Sequence, residues 1–455
     1  MASTSADREQ WGSRLGFILA AAGSAIGLGN IWRFPYVTAE NGGGAFVVVY
    51  LACILLICLP YLFAELALGR NSQKNPVGAI AAIKKGTPWM LVGGLCVLTG
   101  VFILSYYSIV AGWALGYIFK PFIASGVDSS AYFASFVADP TTVLPLAAGF
   151  MLITILVVYG GVEQGIERWA KVLMPVLLVL MLVVIFRAVT LPGAGAGLEF
   201  YLNPDFSKID GAVILAGLGQ AFFSLSLGMG AMITYGSYLP KKENLIVSGG
   251  YVALFDTIIA LMAGLMIFPA LFAMDQDPGS GGPPLIFEVL PEVFATMPLG
   301  NFISAAFFVL LSIAALTSMV SLLEVVISYF VDETSWSRTK SVWIVGGFTF
   351  LMGVPSGLAW GGSTFLTEEI SLFGVTGFFG IMDYIWGNIS LALGALLISV
   401  FVGWVWGTGR AIEELQQGSD DTFTGIAPKI WSIFLQYVCP VVIAIILGNI
   451  VSEVL

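Results

Sequence analysis

The chain has no histidine, only four cysteines, and so little charge that Asp, Glu, Lys and Arg make up 10% of its 455 residues. Each scarcity removes a class of function. Without histidine, the usual general base and the commonest transition-metal ligand are missing, which argues against an enzyme. Cys53, Cys58, Cys96 and Cys439 all fall in apolar runs, which predicts buried thiols rather than a disulfide framework. No basic cluster suggests a nucleic-acid partner, and the acids behind the net charge of −10 are scattered through the loops. With 58% hydrophobic residues, an ordinary soluble globule is excluded. The polar start, Met1 to Gln10, shows no signal-peptide pattern.

What the chain does have is apolar runs long enough for a helix to cross hydrocarbon. They predict an all-α polytopic membrane protein with a single transmembrane domain over 1–455, in contact with the lipid bilayer. About eleven spans are expected, near 14–36, 41–69, 89–119, 143–160, 169–189, 211–238, 244–273, 299–331, 341–360, 379–406 and 430–453. Basic residues set the orientation. With the N-terminus in the cytoplasm, fourteen fall inside: Arg8, Arg14, Arg70, Lys74, Lys84, Lys85, Arg168, Lys171, Lys241, Lys242, Arg338, Lys340, Arg410 and Lys429. Lys120, Arg187 and Lys208 fall outside, and Arg33 lies within a span.

Two spans carry breakers at mid-length. The first reads Gly23-Ser24-Ala25-Ile26-Gly27-Leu28-Gly29-Asn30-Ile31-Trp32-Arg33-Phe34-Pro35, and the sixth reads Phe222-Phe223-Ser224-Leu225-Ser226-Leu227-Gly228-Met229-Gly230. Glycines at helix interfaces often serve only close packing. Here two breaks with polar neighbours recur five spans apart. That odd offset places the two halves in opposite orientations. The pattern predicts two discontinuous helices in a five-plus-five inverted repeat, 14–190 and 211–406, with 430–453 as an additional eleventh helix. A broken helix frees backbone groups at mid-depth, where they are tolerated only beside a protected cavity.

Trp11 through Asn30, Arg33-Phe34-Pro35 and Asn41-Gly42-Gly43-Gly44-Ala45-Phe46 resemble the first two helices of the neurotransmitter:sodium symporter family. Residues 219–230 resemble its sixth helix, and Gly165-Ile166-Glu167-Arg168 with Pro175 resembles its fifth, where local unwinding is associated with that pattern. The likeness runs to about the tenth span and is strongest to bacterial amino-acid transporters of the leucine-transporter type. Many members have twelve helices, whereas eleven are expected here.

The resemblance implies two sodium sites and no organic cofactor. One would use the Ala25 carbonyl with Asn30, Ser224 and Asp256, joined by the substrate carboxylate. The other would use carbonyls of Gly23, Ile26 and Ala314 with the hydroxyls of Thr317 and Ser318. Oxygen donors suit a hard cation. Hydroxyls in membrane helices also commonly bond their own backbone, so Thr317-Ser318 alone is a weak signal. Asp256 is stronger, since Asp at a membrane-helix centre costs roughly 2.5–3.5 kcal/mol and a nearby cation offsets it. A protonated structural acid is the alternative. Tyr50, Gln220 and Ser224 match residues around the chloride site of chloride-dependent relatives. With Asp256 supplying the charge, transport is expected to be chloride-independent.

The same resemblance places the substrate. Freed N–H groups around Gly27, Leu28 and Gly29, with Tyr107, would receive the carboxylate. Carbonyls of Ala25, Phe223 and Ser224 would receive the ammonium. Ile103, Phe223, Ser226, Met229, Ser318 and Leu322 would line an uncharged pocket, which favours hydrophobic side chains over charged ones. Arg33 and Asp383 match the outer gate, with Tyr107 and Phe223 beneath. Arg8 and Asp332 match the inner gate, with Ser237 and Tyr238 nearby. These expectations describe a sodium-coupled importer of hydrophobic neutral L-amino acids by alternating access, in a bacterial plasma membrane. A sensor that binds an amino acid without moving it is the main alternative.

Overall fold

A computed structural model of the chain describes residues 9–124, 126–276, 285–419 and 422–452. Arg8 and residue 453 of the expected eleventh span lie outside these. Among the described residues, nine helices are long and apolar enough to cross a bilayer. They are Gly44–Ser72, Met90–Tyr117, Pro140–Tyr159, Val162–Val189, Leu245–Phe272, Gly300–Glu333, Arg338–Leu358, Phe378–Gln416 and Ala427–Ser452. Arg14–Ala25 and Gly29–Glu40 form a further span bent by 52°. Gly211–Ser224 and Ala231–Gly236, separated by residues 225–230, form the remaining one. In chain order these are spans 1 to 11, with the broken pairs first and sixth, and they match the eleven apolar runs.

The helix ends follow from capping more than from hydropathy. Span 4 starts at Pro140 because the Asp139 carboxylate accepts from the Thr141 N–H (3.0 Å) and Pro at the first turn gives up no needed donor. Asn244 and Ser337 cap spans 7 and 9 in the same way. Span 5 begins earlier than expected, at Val162, and continues as helix through Gly165 and Pro175, so the unwinding associated with those residues is not seen here. Span 10 passes Gly407, at φ +93°, into the polar helix Thr408–Gln416.

Burial sorts the spans into an inner and an outer set. Span 8 is 83% buried, whereas spans 5 and 11 are each 28% buried over their apolar windows. Span 3 packs on spans 4, 8 and 9, and the first half of span 1 packs on spans 5, 7 and 8. Both halves of span 6 lie along span 2. The broken helices are therefore enclosed by continuous ones. Short helices sit in the connections, including Pro76–Lys84, Lys120–Ile123, Ser129–Val137, Ala194–Leu202 and Leu290–Ala295. A minimal hairpin pairs Ser371–Leu372 with Val375–Thr376.

Candidate solute and cation site between two broken helices

The break in span 1 follows from backbone geometry. Ile26 is extended (φ −71°, ψ 103°), so the helical hydrogen-bond ladder stops at Ala25. The chain resumes as a wider turn over Gly29–Arg33, a form that recurs at functional sites. A Cβ on Gly27 would lie 2.5 Å from the Ser318 hydroxyl and 2.9 Å from the Tyr107 hydroxyl. Glycine there lets the freed backbone approach both side chains. In span 6 the break places Ser226, Gly228 and Gly230 at φ +54°, +85° and +79°. Gly228 suits this region, while Ser226 is held in it by donating its hydroxyl to the Ser24 carbonyl (3.0 Å).

The two breaks meet. Asn30 Nδ2 donates to Ser224 Oγ (3.0 Å) and to Asp256 Oδ1 (2.7 Å). Ser224 Oγ donates to Asp256 Oδ2 (2.9 Å), and the Tyr50 hydroxyl reaches Ser224 Oγ at 3.2 Å. Gln220 Nε2 donates to the Gly29 carbonyl (2.9 Å). All five side chains are buried, and Gln220 Oε1 is unpartnered. Spans 1, 2, 6 and 7 thus converge on one buried carboxylate. Three of the expected first-site residues, Asn30, Ser224 and Asp256, are in mutual contact. The fourth, Ala25, ends the first half-helix.

The second set also gathers. Thr317 Oγ1 reaches the carbonyls of Ala314 (3.0 Å) and Ile26 (3.4 Å). Ser318 Oγ reaches Ser24 O (3.2 Å) and Ile26 O (3.4 Å). A Cβ on Gly23 would sit 3.3 Å from Thr317 Cβ, so span 1 and span 8 are in close contact at this level. Carbonyls and hydroxyls with no thiol or imidazole form a donor set that fits a hard monovalent cation. Thr317 Oγ1 also bonds within its own helix, to the Ile313 carbonyl (3.3 Å).

Beside these groups is a small cavity of about 30 Å³, lined by Ala25, Gly27, Gly29, Ile103, Tyr107, Phe223, Ser226, Met229, Ser318 and Leu322. Every expected pocket residue except Leu28 and Ser224 lines it. Leu28 instead donates its N–H to the Tyr107 hydroxyl (3.0 Å), and Ser224 faces Asp256. Tyr107 and Phe223 also line a larger cavity of about 240 Å³ with Arg33, Asp383, Tyr106 and Phe379. These two rings therefore stand between the cavities. Arg33 stacks on Phe223 (4.7 Å to the ring centre), and Asp383 accepts from the Tyr106 hydroxyl (2.9 Å). The expected outer gate pair shares one cavity without a direct ion pair between the two side chains.

The opposite end is closed by the expected Tyr238 together with Trp11, Glu167, Glu324 and Arg338, which carry no role in the expected gate. Trp11 donates its indole N–H to the Tyr235 carbonyl (3.0 Å) and its backbone N–H to Tyr238 O (3.2 Å). Tyr238 donates to Glu324 Oε1 (2.6 Å), and Glu324 pairs with Arg338 (2.6 Å). Glu167 accepts from Gly12 N (2.7 Å) and Ser13 Oγ (2.8 Å). Asp332 accepts from Asn75 N (2.8 Å). Ser237 bonds Thr234 O (2.5 Å) in its own helix. The Arg8 half of the expected inner gate lies outside the described residues. Glu65 was also missed: it accepts the Gly228 N–H (2.9 Å) at the break in span 6.

Converging half-helices, a buried carboxylate and paired closures define a solute transporter of the broken-helix type. The profile of the Sodium:neurotransmitter symporter family matches residues 8–126 and 137–454, and the chain belongs to that family. It is 40% identical to an uncharacterized sodium-dependent transporter, YhdH, of Bacillus subtilis (strain 168), over 97% of this chain and 98% of that protein. It is 35% identical to an uncharacterized sodium-dependent transporter of Haemophilus influenzae, over 98% and 99% of the two chains. Its fold matches the crystal structure of MhsT in complex with L-phenylalanine, with a TM-score of 0.88, 44% identity, and coverage of 98% of this chain and 100% of that one. The protein is a multi-pass membrane transporter coupled to sodium.

Proposed function

We propose that this transporter imports hydrophobic neutral L-amino acids with sodium, without a chloride requirement. The observation that carries the substrate reading is the cavity beside the two breaks. Its side-chain wall is Ile103, Phe223, Met229 and Leu322, with Ser226, Ser318 and Tyr107 as its polar side chains and no charge. A charged substrate side chain would lie there unpaired at high cost. The Phe-bound neighbour, MhsT, is consistent with the same chemistry. In this reading the substrate carboxylate meets the backbone of Gly27 to Gly29 and Tyr107. The ammonium meets carbonyls of Ala25, Phe223 and Ser224.

One sodium would share the substrate carboxylate with Ala25, Asn30, Ser224 and Asp256. The other would sit among Gly23, Ile26, Ala314, Thr317 and Ser318. Asp256 accepts from Ser224 (2.9 Å) and faces the Tyr50 hydroxyl at 3.5 Å, groups that would otherwise face an anion, which supports chloride independence. Spans 1–5 and 6–10 are read as inverted repeats, residues 14–190 and 211–406, with span 11 added. The N-terminus lies in the cytoplasm of a bacterial inner membrane, so Arg33 and Asp383 gate the outside while Arg8, Asp332, Ser237 and Tyr238 belong to the inner closure.

The test is uptake of a panel of labelled amino acids into proteoliposomes with an inward sodium gradient. Leucine, phenylalanine and similar substrates should accumulate, with sodium gluconate as effective as sodium chloride. Accumulation of acidic or basic amino acids, or a strict chloride requirement, would reject the reading. Binding without counterflow would favour a sensor.

A further inference from the structure

A second built pocket lies away from the central site, between the outer ends of spans 3 and 8. It encloses about 220 Å³ and is walled by the helix Lys120–Ile123, the start of Ser129–Val137, the helix Leu290–Ala295 and the first turns of span 8. Lys120 is 5% exposed, an unusual burial for an ammonium group. Its Nζ donates to Ser129 Oγ (2.7 Å) and lies over the Tyr132 ring (5.4 Å). An ammonium carries three donors, and Ser129 is its one hydrogen-bond acceptor among the described residues. Burial pulls the Lys120 pKa down, while Glu292 and Asp128 act in the opposite direction. Ser304, 3% exposed, lines the same pocket with its hydroxyl unpartnered. Glu292, which is exposed and lines the same pocket, accepts the Ser129 N–H (3.2 Å).

The rim is apolar. Phe119, Phe122, Ile123, Leu299 and Phe302 are 52–74% exposed, and the Phe122 and Phe302 rings meet edge to face at 5.6 Å. An exposed patch of this kind marks a surface that meets lipid or a partner. It lies where span 3 ends at Tyr117 and span 8 begins at Gly300.

We infer that this pocket binds the headgroup of a zwitterionic phospholipid with a primary amine, phosphatidylethanolamine. Lys120 and the Ser304 hydroxyl donate to the phosphate, Glu292 accepts from the ammonium, and the aromatic rim packs the acyl chains. Charge complementarity selects this lipid. A phosphatidylglycerol headgroup brings a negative charge and offers Glu292 only neutral hydroxyls, a weaker pairing than an ammonium. Phosphatidylcholine has no N–H to donate. A charge-assisted hydrogen bond is about twice as strong as a neutral one, so its loss is readable.

The test is native mass spectrometry of the full chain after equilibration with an equal mixture of the three lipids. The wild type should retain phosphatidylethanolamine roughly tenfold over each of the others, the scale of one charge-assisted hydrogen bond. Glu292→Gln, at an exposed position, should erase that preference while thermal stability in detergent and sodium-driven uptake in proteoliposomes made without phosphatidylethanolamine stay unchanged. Lys120→Gln should lower retention of all three lipids. Equal retention by the wild type, or a preference that survives Glu292→Gln, would overturn the assignment. Glycerophosphoethanolamine, which has the headgroup without acyl chains, should displace the lipid only weakly; full displacement at matched concentration would overturn the lipid as occupant.

Discussion

Asp256 carries more of the central site than any other side chain. It is fully buried and takes hydrogen bonds from Asn30 and Ser224, with Tyr50 at 3.5 Å. Neutralising it removes the one formal charge in that cluster. Asp256→Asn is expected to lower uptake in chloride-free medium about tenfold or more, with partial rescue by added chloride, because an anion beside Tyr50, Gln220 and Ser224 restores the charge. Uptake in chloride and gluconate media measures this directly. Gly27 is the second informative residue. Gly27→Ala drives a methyl into Ser318 and Tyr107, and overpacking of this kind costs roughly 1–3 kcal/mol. Substrate affinity should fall about tenfold or more while the substrate-free protein keeps its melting temperature within a few degrees. Asp256 was legible in the sequence because a charge stood alone in an apolar run. Glu65 and Glu324 carry the same signal, and weighing every intramembrane acid would have found them. Their partners, a backbone N–H of Gly228 and the guanidinium of Arg338, were not legible, since both contacts are set by packing between distant spans.

At the scale of the element, the breaks in spans 1 and 6 were readable from glycines and polar residues in the middle of apolar runs. Their detail was not. The 52° bend of span 1 and the left-handed turn at Gly228 depend on what encloses them. A Cβ on Gly228 would lie 2.5 Å from the Leu391 carbonyl, so span 10 packs directly on the break. Gly228→Ala therefore combines strain at φ +85° with a clash against backbone, and the melting temperature should drop by several degrees together with loss of substrate binding. Differential scanning fluorimetry with and without leucine checks both. Helix ends were less legible than helix existence. Asp139, Asn244 and Ser337 start their helices through side-chain caps, which a hydropathy count does not register. Short connecting helices such as Ser129–Val137 leave too brief a period to stand out.

At the scale of the whole molecule, the two ends differ: one is tied shut and the other holds the larger cavity. Trp11, Tyr238, Glu324, Arg338 and Glu167 tie the start of span 1 to spans 5, 6, 8 and 9. The Arg33 end holds the larger cavity, above the rings of Tyr107 and Phe223. In the proposed alternating-access cycle those ties break together. Removing one partner of a buried ion pair costs roughly 3–5 kcal/mol, enough to shift a two-state equilibrium strongly. Glu324→Gln should raise severalfold the labelling of a cysteine introduced by Ser237→Cys, with sodium suppressing the increase. Unchanged labelling would separate Glu324 from the inner closure. The nine continuous spans were legible because length and hydropathy decide them, whereas the closed end was not, since its groups come from five separate parts of the chain.

The proposed sharing of one carboxylate by substrate and sodium makes a thermodynamic demand, because each must tighten the other by the same factor. Isothermal titration of leucine into purified protein over a range of sodium concentrations reads that factor. In the wild type, affinity should climb steeply with sodium, and Asn30→Ala should flatten the dependence and weaken leucine at every concentration. A leucine affinity that does not change with sodium would contradict a shared site between the two broken helices.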